Sequence, residues 1–179
     1  MKLTYIKKFV FTAVCVALCI VLPMAFHTVP NAGAIFLPMH IPVLLCGLIC
    51  GWPYGLVCGL IGPFLSSFLT GMPTAAVLPS MMVECATYGL VTGLIMQFIR
   101  TKSAIADLYI SMVTAMILGR TVAGLAKALI LTPGAAPFAW VTTSLITGIP
   151  GICIQLIVMP AVVFALTRAR LIPQRYGNT

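Results

Sequence analysis

Apolar runs separated by short stretches rich in Gly, Pro and polar residues repeat along the whole chain. The first extends from about Phe9 to Phe26 and gives way to a turn-forming stretch, His27-Thr-Val-Pro-Asn-Ala-Gly-Ala-Ile-Phe36. A second, about 38–51, is short, carries Pro42 near its start and ends where Trp52-Pro53 marks a tight turn. A third covers about 54–69 and stops at Thr70-Gly-Met-Pro73, and a fourth covers about 78–99 and stops at Arg100-Thr-Lys102. The fifth, about 108–131, closes at Thr132-Pro-Gly134. The sixth, about 138–166, is longer than a bilayer is thick if it is continuous, with Pro150 and Pro160 as the points for a kink or an exit. A crossing helix takes about 20 apolar residues, and the period-two alternation of a closed barrel is absent. The pattern therefore predicts an all-α integral membrane protein, with six transmembrane helices in a single membrane domain over 1–179.

Composition agrees: 61% of the 179 residues are hydrophobic and 7% charged, and the mean hydropathy is +1.17. A soluble domain carries about 25% charged residues, so this chain cannot solvate its own surface. The net charge of +8 would suggest nucleic acid in a soluble protein. Here the positions of the basic residues give another reason. Segments 1–8, 51–54, 100–107 and 167–179 hold Lys2, Lys7, Lys8, Arg100, Lys102, Arg168, Arg170 and Arg175, whereas 27–37, 70–78 and 132–137 hold no Lys or Arg. Basic residues stay on the cytoplasmic side, which puts both termini in the cytoplasm. Lys2, Lys7 and Lys8 ahead of an apolar run resemble a signal peptide, but the run reaches Pro23 and His27 without a small-residue cleavage site and reads as a retained helix. The seven cysteines all fall within apolar segments, with neither C-x-x-C spacing nor a carboxylate cluster nearby. They read as small packing residues.

Small residues recur at four-residue spacing at Ala13/Ala17, Gly47/Gly51, Gly55/Gly59, Gly89/Gly93 and Ala115/Gly119/Ala123. Such faces let helix backbones approach in lipid. Most should pack internally, leaving at least one to dock a separate membrane subunit.

Three charges lie inside predicted spans: Glu84, Arg120 and Lys127. Each would cost roughly 3 kcal/mol facing lipid, so they should face inward and be paired. At about 1.5 Å per residue, Glu84 and Lys127 lie about 8 and 6 Å below the outer ends of their helices, close enough to pair. Arg120 sits two turns deeper than Lys127, and Tyr88 follows Glu84 by one turn. A structural ion pair accounts for Glu84 with one cation. A small outward-open cavity of net positive charge accounts for all three and suits an anionic or strongly polar ligand, since Arg grips a carboxylate in two-pronged fashion. Phe36, Tyr88 and Trp140 are the aromatic candidates for its lining, with His40 and Asn31 as hydrogen-bonding groups at its rim. His27 and His40 without further partners make a poor metal site, and no metal or cofactor is expected. The phosphate loop of an ATPase, H-E-x-x-H and G-x-S-x-G are all missing. A solute binder without an energy source must borrow one.

The stretch Phe36-Leu-Pro-Met-His-Ile-Pro-Val-Leu-Leu-Cys-Gly-Leu-Ile-Cys-Gly51, followed by Gly55-Leu-Val-Cys-Gly59, Leu65-Ser-Ser67 and Gly71-Met-Pro73, resembles the substrate-binding (S) component of energy-coupling factor (ECF) transporters. It is similar to the branch for pantothenate, hydroxymethylpyrimidine and pyridoxine. The resemblance covers most of the chain and implies a vitamin-capturing subunit, not an enzyme, in a bacterial plasma membrane. It also implies a transmembrane coupling (T) subunit and two cytoplasmic ATPase subunits as partners, with Ala13 and Ala17 docking on the coupling subunit. The ligand site it implies, the first outer loop and the outer halves of helices four to six, holds Glu84, Tyr88, Lys127 and Trp140, with Arg120 deeper than a ligand contact requires. Two cations against one carboxylate favour pantothenate, an anion; pyridoxine and a pyrimidine remain open, as does, from other classes, a scaffold subunit or an intramembrane enzyme.

Overall fold

A computed structural model describes residues 3–25, 32–131 and 137–172, and all regular structure among them is helical. The order is α1 (Tyr5–Ala25), α2 (Ala32–Phe36), α3 (His40–Cys50), α4 (Trp52–Thr70), α5 (Leu78–Phe98), α6 (Ala104–Ala126), α7 (Pro137–Thr147) and α8 (Ile149–Arg168). A π-helical turn, Lys127–Leu131, prolongs α6.

Five helices, α1, α4, α5, α6 and α8, are long and apolar enough to cross a membrane. The second expected span is α3, whose 11 residues rise only about 16 Å. Nine of them, His40 and Pro42 through Leu48 plus Cys50, are buried. Wrapped by neighbours rather than lipid, α3 need not match the bilayer. The sixth expected span is two helices, α7 and α8, divided at Gly148. Pro150 falls in the first turn of α8, where its missing N–H costs nothing; Pro160 lies inside α8. The stretch expected to be loop before α3 contains the short α2. Trp52-Pro53 opens α4, and the reversal ahead of it occurs at Gly51, with φ at +96°, a region glycine enters without strain.

Helix α5 is the hub, packing on α4, α6 and α3, while α1 lies on α4 and α3. The glycine faces explain how closely these helices run. A Cβ on Gly47 would stand 2.6 Å from the carbonyl oxygen of Gly89, and one on Gly89 would stand 2.9 Å from the Cα of Gly55. Small residues thus replace the hydrophobic driving force that lipid removes. Buried hydroxyls are satisfied locally: Thr92 and Ser111 donate to the carbonyls of Tyr88 (2.7 Å) and Asp107 (2.6 Å), four residues back. The outward faces stay apolar, as Phe9, Phe64, Phe68, Ile117, Ile157 and Phe164 illustrate.

Two polar clamps fix the connections. Ser66 and Ser67 donate to the carbonyls of Met72 (2.8 Å) and Pro73 (2.7 Å), folding the segment after α4 back on its helix. At the other end of α5, the fully buried carboxylate of Asp107 accepts from the backbone N–H (2.8 Å) and hydroxyl (2.7 Å) of Thr101. Asp107 also sits in the first turn of α6, where the helix dipole favours a negative charge.

Candidate functional site

The charged positions of α5 and α6 come together because Gly119 leaves room for Tyr88: a Cβ there would collide with the Tyr88 ring. Tyr88, 1% exposed, donates its hydroxyl to Glu84 Oε1 at 3.1 Å and accepts from Arg120 Nε at 3.2 Å. Arg120 Nε also stands 3.6 Å from Glu84 Oε1. His40, at the start of α3, brings Nε2 to 3.5 Å from the same oxygen and packs its ring against Tyr88 with centroids 5.1 Å apart. Arg120 then reaches away from α5, donating from Nη1 to the carbonyl of Ser144 in α7.

A cavity of about 510 Å³ lies over this group, within the range that holds small ligands. His40, Glu84 and Arg120 are among its polar lining, as are Lys127 and Trp140, with Lys127 Nζ 5.3 Å from the Trp140 ring centroid. Met39, Met72 and Met81 give apolar, adaptable lining. The segment clamped by Ser66 and Ser67 contributes Met72, Pro73 and Thr74.

Arg120, set two turns deeper than Lys127 by the sequence, is an ion-pair partner of Glu84. The guanidinium spans the depth that seemed to separate it from the site. Tyr88 is beneath the wall rather than on it, tying Glu84 to Arg120. Phe36 is also away from the cavity lining: its backbone lies against Gly151 of α8. Asn31 and His27 lie outside the described residues. The sequence reading missed Thr143, Ser144 and Thr147, which line the cavity with Trp140. The spacing 140, 143, 144, 147 is one face of a helix, a signal present in the sequence.

Arg120 Nη2 and both ring nitrogens of His40 are buried with no hydrogen-bond partner among the described residues. A buried donor left unsatisfied costs about 1–3 kcal/mol. Among the described residues, no three His, Cys, Asp or Glu side chains are grouped to hold a metal.

Ala13 and Ala17 face outward from α1, opposite the buried Thr12, Cys15 and Cys19. The glycine faces of α3, α4 and α5, by contrast, are consumed in internal crossings.

A comparison with the curated proteins finds no match. The family model for the ECF transporter, substrate-specific component, matches residues 7–163. The chain, a multi-pass membrane protein with a largely apolar cavity set over a buried charged pair, therefore belongs to the ECF transporter substrate-specific component family and is a transport subunit, not an enzyme.

Proposed function

We propose that this chain captures pantothenate, or a closely similar small organic anion, in the cavity above Glu84 and Arg120 and delivers it for import. The observation that carries the reading is Arg120, buried to 1% exposure on the cavity wall with an unpartnered Nη2. Two cations on the wall, Arg120 and Lys127, less the one carboxylate of Glu84, leave a charge of +1. A carboxylate ligand would neutralise it and accept from the guanidinium. His40, Glu84, Arg120, Lys127 and Trp140 would contact the ligand, Tyr88 would hold the charged pair in place, and Asn31 would act from the first outer loop.

Pyridoxine and hydroxymethylpyrimidine, being nearly neutral, would lean on Glu84. That carboxylate already has Tyr88, Arg120 and His40 around it, which favours the anion.

S components work with a T component and ATPase subunits. In this reading the membrane is a bacterial plasma membrane, the chain crosses it six times with both termini in the cytoplasm, and the partners are one coupling subunit and two ATPases. The complete segregation of Lys and Arg to one set of loops supports that orientation, with α3 as a short crossing inside protein. The outward Ala13/Ala17 face of α1 is the docking surface for the coupling subunit.

The test is a thermal-shift screen of the detergent-purified chain against pantothenate, pyridoxine, hydroxymethylpyrimidine and other B vitamins. Stabilisation by pantothenate at the lowest concentration supports the reading. Stabilisation by a neutral vitamin alone would replace the substrate, and no response to any would leave only the membership of the family.

A further inference from the structure

Gly148 lies between α7 and α8, outside the cavity lining. Its φ of −84° and ψ of 0° are open to any L residue, so the backbone does not require glycine there. Space does. A Cβ at this position would stand 2.7 Å from Arg120 Nη2, 3.0 Å from Nη1 and 2.9 Å from the carbonyl oxygen of Ser144. The guanidinium occupies the volume that a side chain would fill. The Ser144 carbonyl accepts from Arg120 Nη1 and from the backbone N–H of Gly148 at 3.0 Å. Arg120 is thus held from α5 through Tyr88 and Glu84, and from the far side by the last turn of α7.

We propose that Gly148 is a positioning residue that sets the plane of the Arg120 guanidinium and thereby makes the site select a carboxylate over its neutral counterpart. This rests on the reading of the cavity as a carboxylate site. With Nε on Tyr88 and Nη1 on Ser144, Nη2 is the guanidinium nitrogen left for a ligand, and a fixed plane aims it; a carboxylate gains a charge-assisted bond there that an alcohol does not. A methyl group at position 148 displaces the far end of a long side chain. The Ser144 carbonyl, 2.9 Å from that methyl, must give with it, whereas the apolar lining from Met39, Met72 and Met81 that serves both ligands is left in place.

The experiment titrates the full-length chain in detergent with pantothenate and with pantothenol, its alcohol analogue, in wild type, Gly148→Ala, Arg120→Met and the double variant. Wild type should prefer the carboxylate. Gly148→Ala should lower that preference about tenfold, a factor worth about 1.4 kcal/mol, through weaker pantothenate binding, with pantothenol unchanged. Beside Arg120→Met, Gly148→Ala should change neither affinity. An unchanged preference in Gly148→Ala, or an equal loss for both ligands, overturns the inference. If wild type binds neither compound, the substrate reading fails, and the melting temperatures of the same four proteins decide the positioning role without ligand. A Gly148→Ala shift seen beside Arg120 and gone beside Arg120→Met supports it. A shift of the same size in both backgrounds, or failure of the double variant to fold, assigns the glycine to backbone packing and overturns it.

Discussion

Glu84→Gln removes one negative charge and little else, because the amide keeps the side-chain volume and can still accept from the Tyr88 hydroxyl. Arg120, 1% exposed, then loses the carboxylate 3.6 Å from its Nε. At an effective dielectric near 20, unit charges at that separation attract by about 4–5 kcal/mol. Stranding one partner of a buried pair generally costs about 3–5 kcal/mol. The Tyr88 hydroxyl and Ser144 carbonyl still solvate the guanidinium, so the lower end, about 3 kcal/mol, is the expected loss. A chain of this length loses about 2–4 °C per kcal/mol, which puts the fall in melting temperature on the order of 10 °C. Adding Arg120→Met removes the stranded cation and should recover more than half of the loss, a coupling that independent sites would not show. Fluorescence-monitored melting of the detergent-purified proteins reads both effects. A Glu84→Gln protein that melts with wild type, or a double variant whose loss is the sum of the two single losses, would refute the ion pair as the centre of the site.

Lys127→Ala should weaken binding of the captured anion about tenfold or more, about 1.4 kcal/mol, with the fold intact; wild-type affinity by calorimetry would remove Lys127 from the site. Ala13→Trp places a large side chain on the outward face of α1 and should spare binding while abolishing uptake in cells, so normal uptake would remove the docking face. Gly89→Leu drives a side chain into the backbone of Gly55, and overpacking at a close crossing destabilises strongly. Loss of monodisperse protein on size exclusion is expected, and a folded, ligand-binding variant would sink the account of the α4–α5 crossing.

The helical, membrane-embedded character was legible because apolar runs and the scarcity of charge leave few alternatives. Lengths were less so. The run 38–51 looks like a span by hydropathy, but hydropathy cannot distinguish lipid from protein as the apolar surroundings, and α3 is buried by its neighbours. The run 138–166 looks continuous because Gly148 is a weak helix breaker by itself, and the Arg120 guanidinium that packs against it comes from α6, a long-range contact the local sequence does not show. Glu84, Arg120 and Lys127 stood out because charge in an apolar run must be compensated. The reach of Arg120 to Glu84 did not, since rise per residue locates Cα atoms and not the tips of long side chains. Helix register along α7 puts Thr143 and Thr147 on one face with Trp140, so that part of the lining is legible from spacing alone. The clamps from Ser66 and Ser67 to the following loop had no such signal, because their acceptors are backbone carbonyls.

The most direct test of ligand capture uses Trp140 as reporter. The chain has two tryptophans; Trp52 is 39% exposed and outside the cavity lining, whereas Trp140 is on its wall. Trp52→Phe therefore leaves a single emitter at the proposed site, which can be titrated with pantothenate in detergent. A saturable change in Trp140 emission at one ligand per chain, lost in Arg120→Met, is the expected result. Emission that stays constant through a concentration range at which calorimetry registers binding would place the ligand elsewhere and contradict the account.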